Sequence, residues 1–97
     1  MTGIVERAVT NPFCGYEDAA TNLLAGVCRE LQAERGGEPF ILATRTAGEL
    51  VGQSHVWASG RLWLFCHDGL MKRITAGTLQ GRRAASYRWL LPMGKMR

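Results

Sequence analysis

From Gly60 to its last residue this 97-residue chain has a single acidic side chain, Asp68, against eight Lys and Arg. No stretch approaches the roughly 18 consecutive apolar residues of a membrane-spanning helix. The opening Met-Thr-Gly-Ile-Val-Glu lacks a basic n-region followed by an apolar run, so a signal peptide is not expected. Cysteines are few and odd in number, Cys14, Cys28 and Cys66, which fits free thiols in a reducing cytoplasm better than a disulfide framework. Internal repeats and low-complexity tracts are missing too. Ordinary apolar content, with aromatics spread along the chain, excludes the collagen-like, coiled-coil and disordered classes.

What is present is a single small domain, 1–97, with residues 1–15 as a lead-in and 93–97 as a fraying tail. Its net charge of +4 is unevenly placed. Residues 1–48 carry four Arg and six acids, a balance of −2, whereas residues 49–97 carry eight bases and two acids, a balance of +6. Ten of the twelve bases are Arg, whose planar fork suits phosphates and carboxylates. A half of one sign steers polyanions, or an acidic protein surface, toward itself. It also serves plain solubility.

Hydrophobic spacing predicts a helix over 16–35, where Ala20, Leu24, Val27 and Leu31 recur on one side. Glu17 and Asp18 lie in its first turn, Arg35 in its last, and Gly36-Gly37 stops it. Before it, Asn11-Pro12 reads as a helix-start signal, and residues 1–10 as a short strand or one helical turn. Three strand-like runs follow: Phe40 to Thr46, a weaker one from Leu50 to Trp57, and Arg61 to His67. Their short connections imply an antiparallel meander. Leu70 to Ala76 reads equally as a strand or a helix start. Residues 80–91 read as a short basic helix ended by Pro92, the alternative being a final strand over 87–91. The expected class is α+β: an N-terminal helix packed on a three- or four-stranded antiparallel sheet, with a short basic C-terminal helix.

Catalytic chemistry finds little support. Cys66-His67-Asp68 groups possible ligands, but structural zinc needs paired ligands two to five residues apart, and neighbours on a strand point to opposite faces. Neither Cys14 nor Cys28 has a local signal pairing it with His55 or His67 as a nucleophile. The nucleotide-binding, hydrolase-elbow and zinc-protease patterns are missing. No enzyme, cofactor or metal is therefore expected, and His67 and Asp68 are the first residues to test if there is one.

The stronger signal is cations interleaved with aromatics. Arg61, Lys72, Arg73, Arg82, Arg83 and Arg88 are candidates to contact phosphates, and Trp63 and Trp89 to offer stacking surfaces. Core packing is the simpler role for Trp89, and a solvated face for the Arg pair. A helix over 16–35, strands within 40–67 and a basic last helix look like the α-β-β-β-α order of double-stranded RNA-binding domains. That likeness, one of element order over residues 16–91, implies phosphate clamping by Lys72 and Arg73 at the start of the last helix. Only two cations stand for that family's lysine cluster, and Gly77 and Gly81 interrupt the helix, so the chain is not assigned to it. The leading expectation is non-catalytic nucleic-acid binding. The other is a protein-interaction module or inhibitor, in the style of a phage or mobile-element accessory protein, using an exposed Trp and Arg surface with a homodimer as one form. Both are expected in the cytoplasm, away from membranes.

Overall fold

The computed structural model describes residues 3–75 and 85–90. Seven elements follow in order: α1 (Ile4–Thr10), α2 (Ala19–Arg35), β1 (Phe40–Ile41), α3 (Thr44–Val51), α4 (His55–His67), β2 (Met71–Thr75) and β3 (Ser86–Trp89). Helices and an antiparallel sheet make the fold α+β, as expected, but the parts differ. Of the two readings of residues 1–10 the helical one holds, extended to α1 over Ile4–Thr10, and Asn11 closes that helix instead of opening the next.

At the centre is α2, three residues shorter than its predicted span. Asp18 caps it: the carboxylate accepts from the Thr21 backbone N–H at 3.1 Å and from the Thr21 hydroxyl at 2.6 Å. These bonds, the hydroxyl's foremost and with Arg61's charge assisting, hold the Asp18 carboxyl below its ordinary range. Gly36 ends the helix at φ 65°. Leu24, Val27, Cys28 and Leu31 are buried as one stripe, while Gly26 lets α1 come close, because a Cβ there would sit 3.2 Å from the Ala8 Cβ.

Two of the three predicted strand runs are mainly helical. The stretch Phe40 to Thr46 keeps only two residues of strand before α3 begins at Thr44. Leu50 to Trp57 is the α3–α4 junction, and Arg61 to His67 lies wholly inside α4. In that last run, five consecutive apolar residues from Leu62 to Cys66 satisfy an alternating pattern and a helical one equally. What decides is Ala58, Leu62 and Phe65, buried at i, i+4 and i+7. Ser54, whose hydroxyl caps the Trp57 N–H at 3.1 Å, starts the helix. Between α3 and α4 the chain turns tightly, with the Gln53 N–H bonded to the Gly48 carbonyl at 2.8 Å.

The sheet is not a meander. Its order is β1-β3-β2, with β3 antiparallel to both neighbours. Within the undecided Leu70 to Ala76 stretch, Met71–Thr75 forms strand β2, and Ala76 lies outside the described residues. The predicted basic helix over 80–91 is strand β3 across Ser86–Trp89, in line with its alternative, and residues 80–84 and 91 lie outside the described part. Phe40, Met71, Tyr87 and Trp89 turn inward and are buried beneath the helices. Gln32, also buried, ties α2 to this sheet: its amide donates to the Gly36 and Glu38 carbonyls at 2.8 and 2.7 Å, and its carbonyl accepts the Trp89 backbone N–H at 2.9 Å.

Candidate nucleic-acid interface

The strand register sorts the predicted contact residues. Lys72 and Arg88 are cross-strand partners on the sheet surface turned away from the buried side chains. They share it with Thr75 and Ser86, whose hydroxyls are 2.6 Å apart, and with the exposed Ile41. Arg73 pairs with the inward-facing Tyr87, so strand alternation places it on the opposite surface from Lys72, beside Cys66 at the sheet's rim. The order of double-stranded RNA-binding domains is not reproduced, since Lys72 and Arg73 lie within a strand and two further helices separate β1 from β2.

Arg61 has a structural role. Its Nε donates to the Thr21 hydroxyl at 2.8 Å, and its guanidinium lies 4.9 Å from the centre of the Trp57 ring. It thereby joins α4 to the start of α2. Trp89 is core rather than stacking surface: it is 5% exposed and meets Phe13 edge-on at 5.8 Å. Trp63, by contrast, is 65% exposed on α4, parallel to His67 at 5.0 Å and one helical face with Val56, itself 69% exposed. Arg82 and Arg83 belong to the connection between β2 and β3, outside the described residues.

Electrostatics separates the two halves of the molecule. Among the described residues, the ion pairs are Arg7 with Glu30 at 3.2 Å, Arg7 with Glu34 at 2.9 Å, and Arg29 with Glu30 at 3.0 Å. The two Arg7 pairs join α1 to α2, and the third lies within α2. Neither Lys72 nor Arg88 has an acidic partner among those residues. Arg88 donates to the Gly37 carbonyl at 2.7 Å, which steers its guanidinium toward the loop before β1.

Cys66, His67 and Asp68 diverge at the end of α4. The thiol of Cys66 is half-buried, and burial foremost pushes its pKa up. His67 lies against Trp63, and Asp68 accepts from the Tyr16 hydroxyl at 2.8 Å. The Cys28 thiol is fully buried and pushed up by the same cause. Among the described residues, no three His, Cys, Asp or Glu side chains surround a common point, and no helix is long and apolar enough to cross a membrane. Sequence reading missed Thr75, Ser86 and Ile41 on the open face, because their common side emerges only from the register across β3. Compared with known proteins, the chain matches no family, no curated protein and no solved structure.

Proposed function

We propose that this chain is a non-catalytic binding protein that holds the phosphate backbone of nucleic acid on the open face of its sheet. Lys72 and Arg88 are the central contacts, with Arg73 at the rim and Arg82 and Arg83 contributed by the connection between their strands. The observation that carries this reading is the pairing of Lys72 with Arg88 on the face that also holds the exposed Thr75 and Ile41, with no carboxylate neutralising either among the described residues. Thr75 and Ser86, bonded to each other, leave one hydroxyl hydrogen free to donate, of the kind that positions a phosphate without reading a base. Arg61 and Trp89, occupied within the fold, are withdrawn from the contact set. Recognition of this type is indifferent to sequence and strongly dependent on salt.

Fluorescence anisotropy with a generic duplex and a generic single strand, across a salt series, tests it. Affinity falls steeply with salt, and each lost phosphate contact lowers the slope of log K against log salt by about 0.9 on duplex. The double substitution Lys72→Ala with Arg88→Ala therefore flattens the slope by about two. Absence of binding at low salt, or an unchanged slope in the double variant, refutes the proposal.

Trp63 supports a second reading, an interaction surface for a protein. An exposed Trp beside an exposed Val on an otherwise uncharged helix face has the composition of an interface hot spot. Under that reading a complex isolated from host lysate survives nuclease treatment and is lost in Trp63→Ala, while the Lys72 and Arg88 substitutions leave it intact.

A further inference from the structure

On the far side of the molecule from the uncovered sheet surface, the segment before α2 folds against the end of α4 and encloses an open hollow of about 200 Å³. Its lining is Phe13, Gly15, Tyr16, Asp68 and Leu70. Three of these five are large and apolar or aromatic, and one is a carboxylate. The two rings are tilted by 36° with centres 6.0 Å apart. Gly15 is needed for the hollow's shape, because a Cβ there would fall 2.5 Å from the Phe13 ring.

The charge at this place is unusual. Asp68 is the C-cap of α4, where its backbone N–H bonds the Leu64 carbonyl at 2.8 Å. A helix C-terminus already carries partial negative charge and favours a cation there, not a carboxylate. In a half-chain with eight bases, none pairs with Asp68 among the described residues. One of its oxygens accepts from the Tyr16 hydroxyl, which orients the carboxylate and leaves the other oxygen without a side-chain donor among those residues. A carboxylate beside aromatic and aliphatic walls matches a cationic head on an alkyl stem.

We propose that this hollow is a binding site for an alkylammonium group, the chemistry shared by a lysine side chain of a partner peptide and a small free amine. The ammonium meets Asp68 and the end of α4, and the stem lies on Phe13, Tyr16 and Leu70. Burial foremost, with the bond to Asp68, raises the Tyr16 phenol pKa, so the hydroxyl remains a donor to Asp68 throughout neutral pH. The site is separate from the cationic face and does not depend on the nucleic-acid reading.

Amide NMR titration of the whole chain with n-butylammonium chloride tests it, with n-butanol and sodium chloride as controls. Saturable shifts are expected at Gly15, Tyr16, Asp68, Gly69 and Leu70, and at the Trp89 indole, which packs against Phe13. Butanol gives no saturation at these residues. Asp68→Asn keeps an acceptor for Tyr16 but removes the charge, and weakens the amine by about fivefold, the difference between a charge-assisted and a neutral hydrogen bond. Acetyl-lysine amide with a free ε-amine identifies the source: tighter binding than butylammonium assigns the site to peptide lysine, weaker binding to a free amine. Linear, unsaturating shifts, equal responses to butanol, or an unweakened Asp68→Asn overturn the proposal. The comparison of amine with alcohol uses the unaltered protein, so it decides even if a variant fails to fold.

Discussion

Replacing Gln32 with Met removes every polar contact of one buried side chain while keeping its length. Three backbone groups lose their partner: the carbonyls of Gly36 and Glu38 and the N–H of Trp89. These losses are unequal. Gly36 and Glu38 are exposed loop residues, so water replaces the amide and each costs at most the net value of a hydrogen bond, about 0.5–1.5 kcal/mol. The Trp89 N–H lies in the buried interior and is left with no acceptor, a cost of about 1–3 kcal/mol. Burying methionine's thioether in place of an amide offsets roughly 1 kcal/mol. A net loss of about 2 kcal/mol follows, which for a domain of this size lowers Tm by about 8–16 °C. Urea unfolding followed by circular dichroism measures it, with an unchanged m-value showing that the unfolded state is not the cause. Gln32→Glu sharpens the test, since its carboxylate still accepts from Trp89 but faces two carbonyls. Its folded-state pKa is raised, so its stability is greatest in acid and declines as pH rises above the unfolded value of about 4.3. If Gln32→Met stays within about 0.5 kcal/mol of the parent, the reasoning that Gln32 holds the sheet to α2 is wrong.

Two other perturbations have defined outcomes. Gly48→Ala places a Cβ 2.6 Å from the Gln53 carbonyl oxygen, backbone that cannot swing aside, and destabilises by about 1–3 kcal/mol despite alanine's better helix propensity; equal or higher stability in denaturant refutes the tight α3–α4 packing. Both tyrosines, Tyr16 and Tyr87, have pKa values raised chiefly by burial, so the stability they contribute is complete below about pH 10 and is lost as pH rises through their folded values. Phenolate absorbance therefore appears only as the far-UV signal collapses, and either tyrosine half-ionised near pH 10 in a folded chain contradicts it.

The sequence was most legible where local chemistry and tertiary packing agree. Asp18, the Leu24–Val27–Leu31 stripe and Gly36 mark α2 to within three residues. The stretch from Leu62 to Cys66 is illegible to periodicity, because uninterrupted apolar residues fit either period, and the Ser54 cap that starts the helix lies seven residues upstream of Arg61. Phe40 to Thr46 misled through its β-branched residues; Ala47, buried against the core, draws the backbone into a helix from Thr44 onward. Sheet order could not be read locally at all, since β1 finds its partner more than 40 residues later, Phe40 at Tyr87 and Ile41 at Ser86. The candidate site inherits that limit. The cations were visible by composition, but which of them share a surface is decided by register across β3, which divides Lys72 from Arg73 and removes Trp89 to the interior.

Placing the last described strand in the middle of the sheet has a consequence for synthesis. As the chain leaves the ribosome, α1 through α4 emerge with every local contact they need, whereas β1 and β2 have nothing to pair with. Residues 86–89 supply both pairings at once, together with the N–H that Gln32 accepts. Until those residues are present the sheet cannot form, because β1 and β2 pair only with β3 among the described strands. A chain that stops before Ser86 lacks both pairings and cannot complete the sheet however long it is given, so its apolar surface stays open to aggregation.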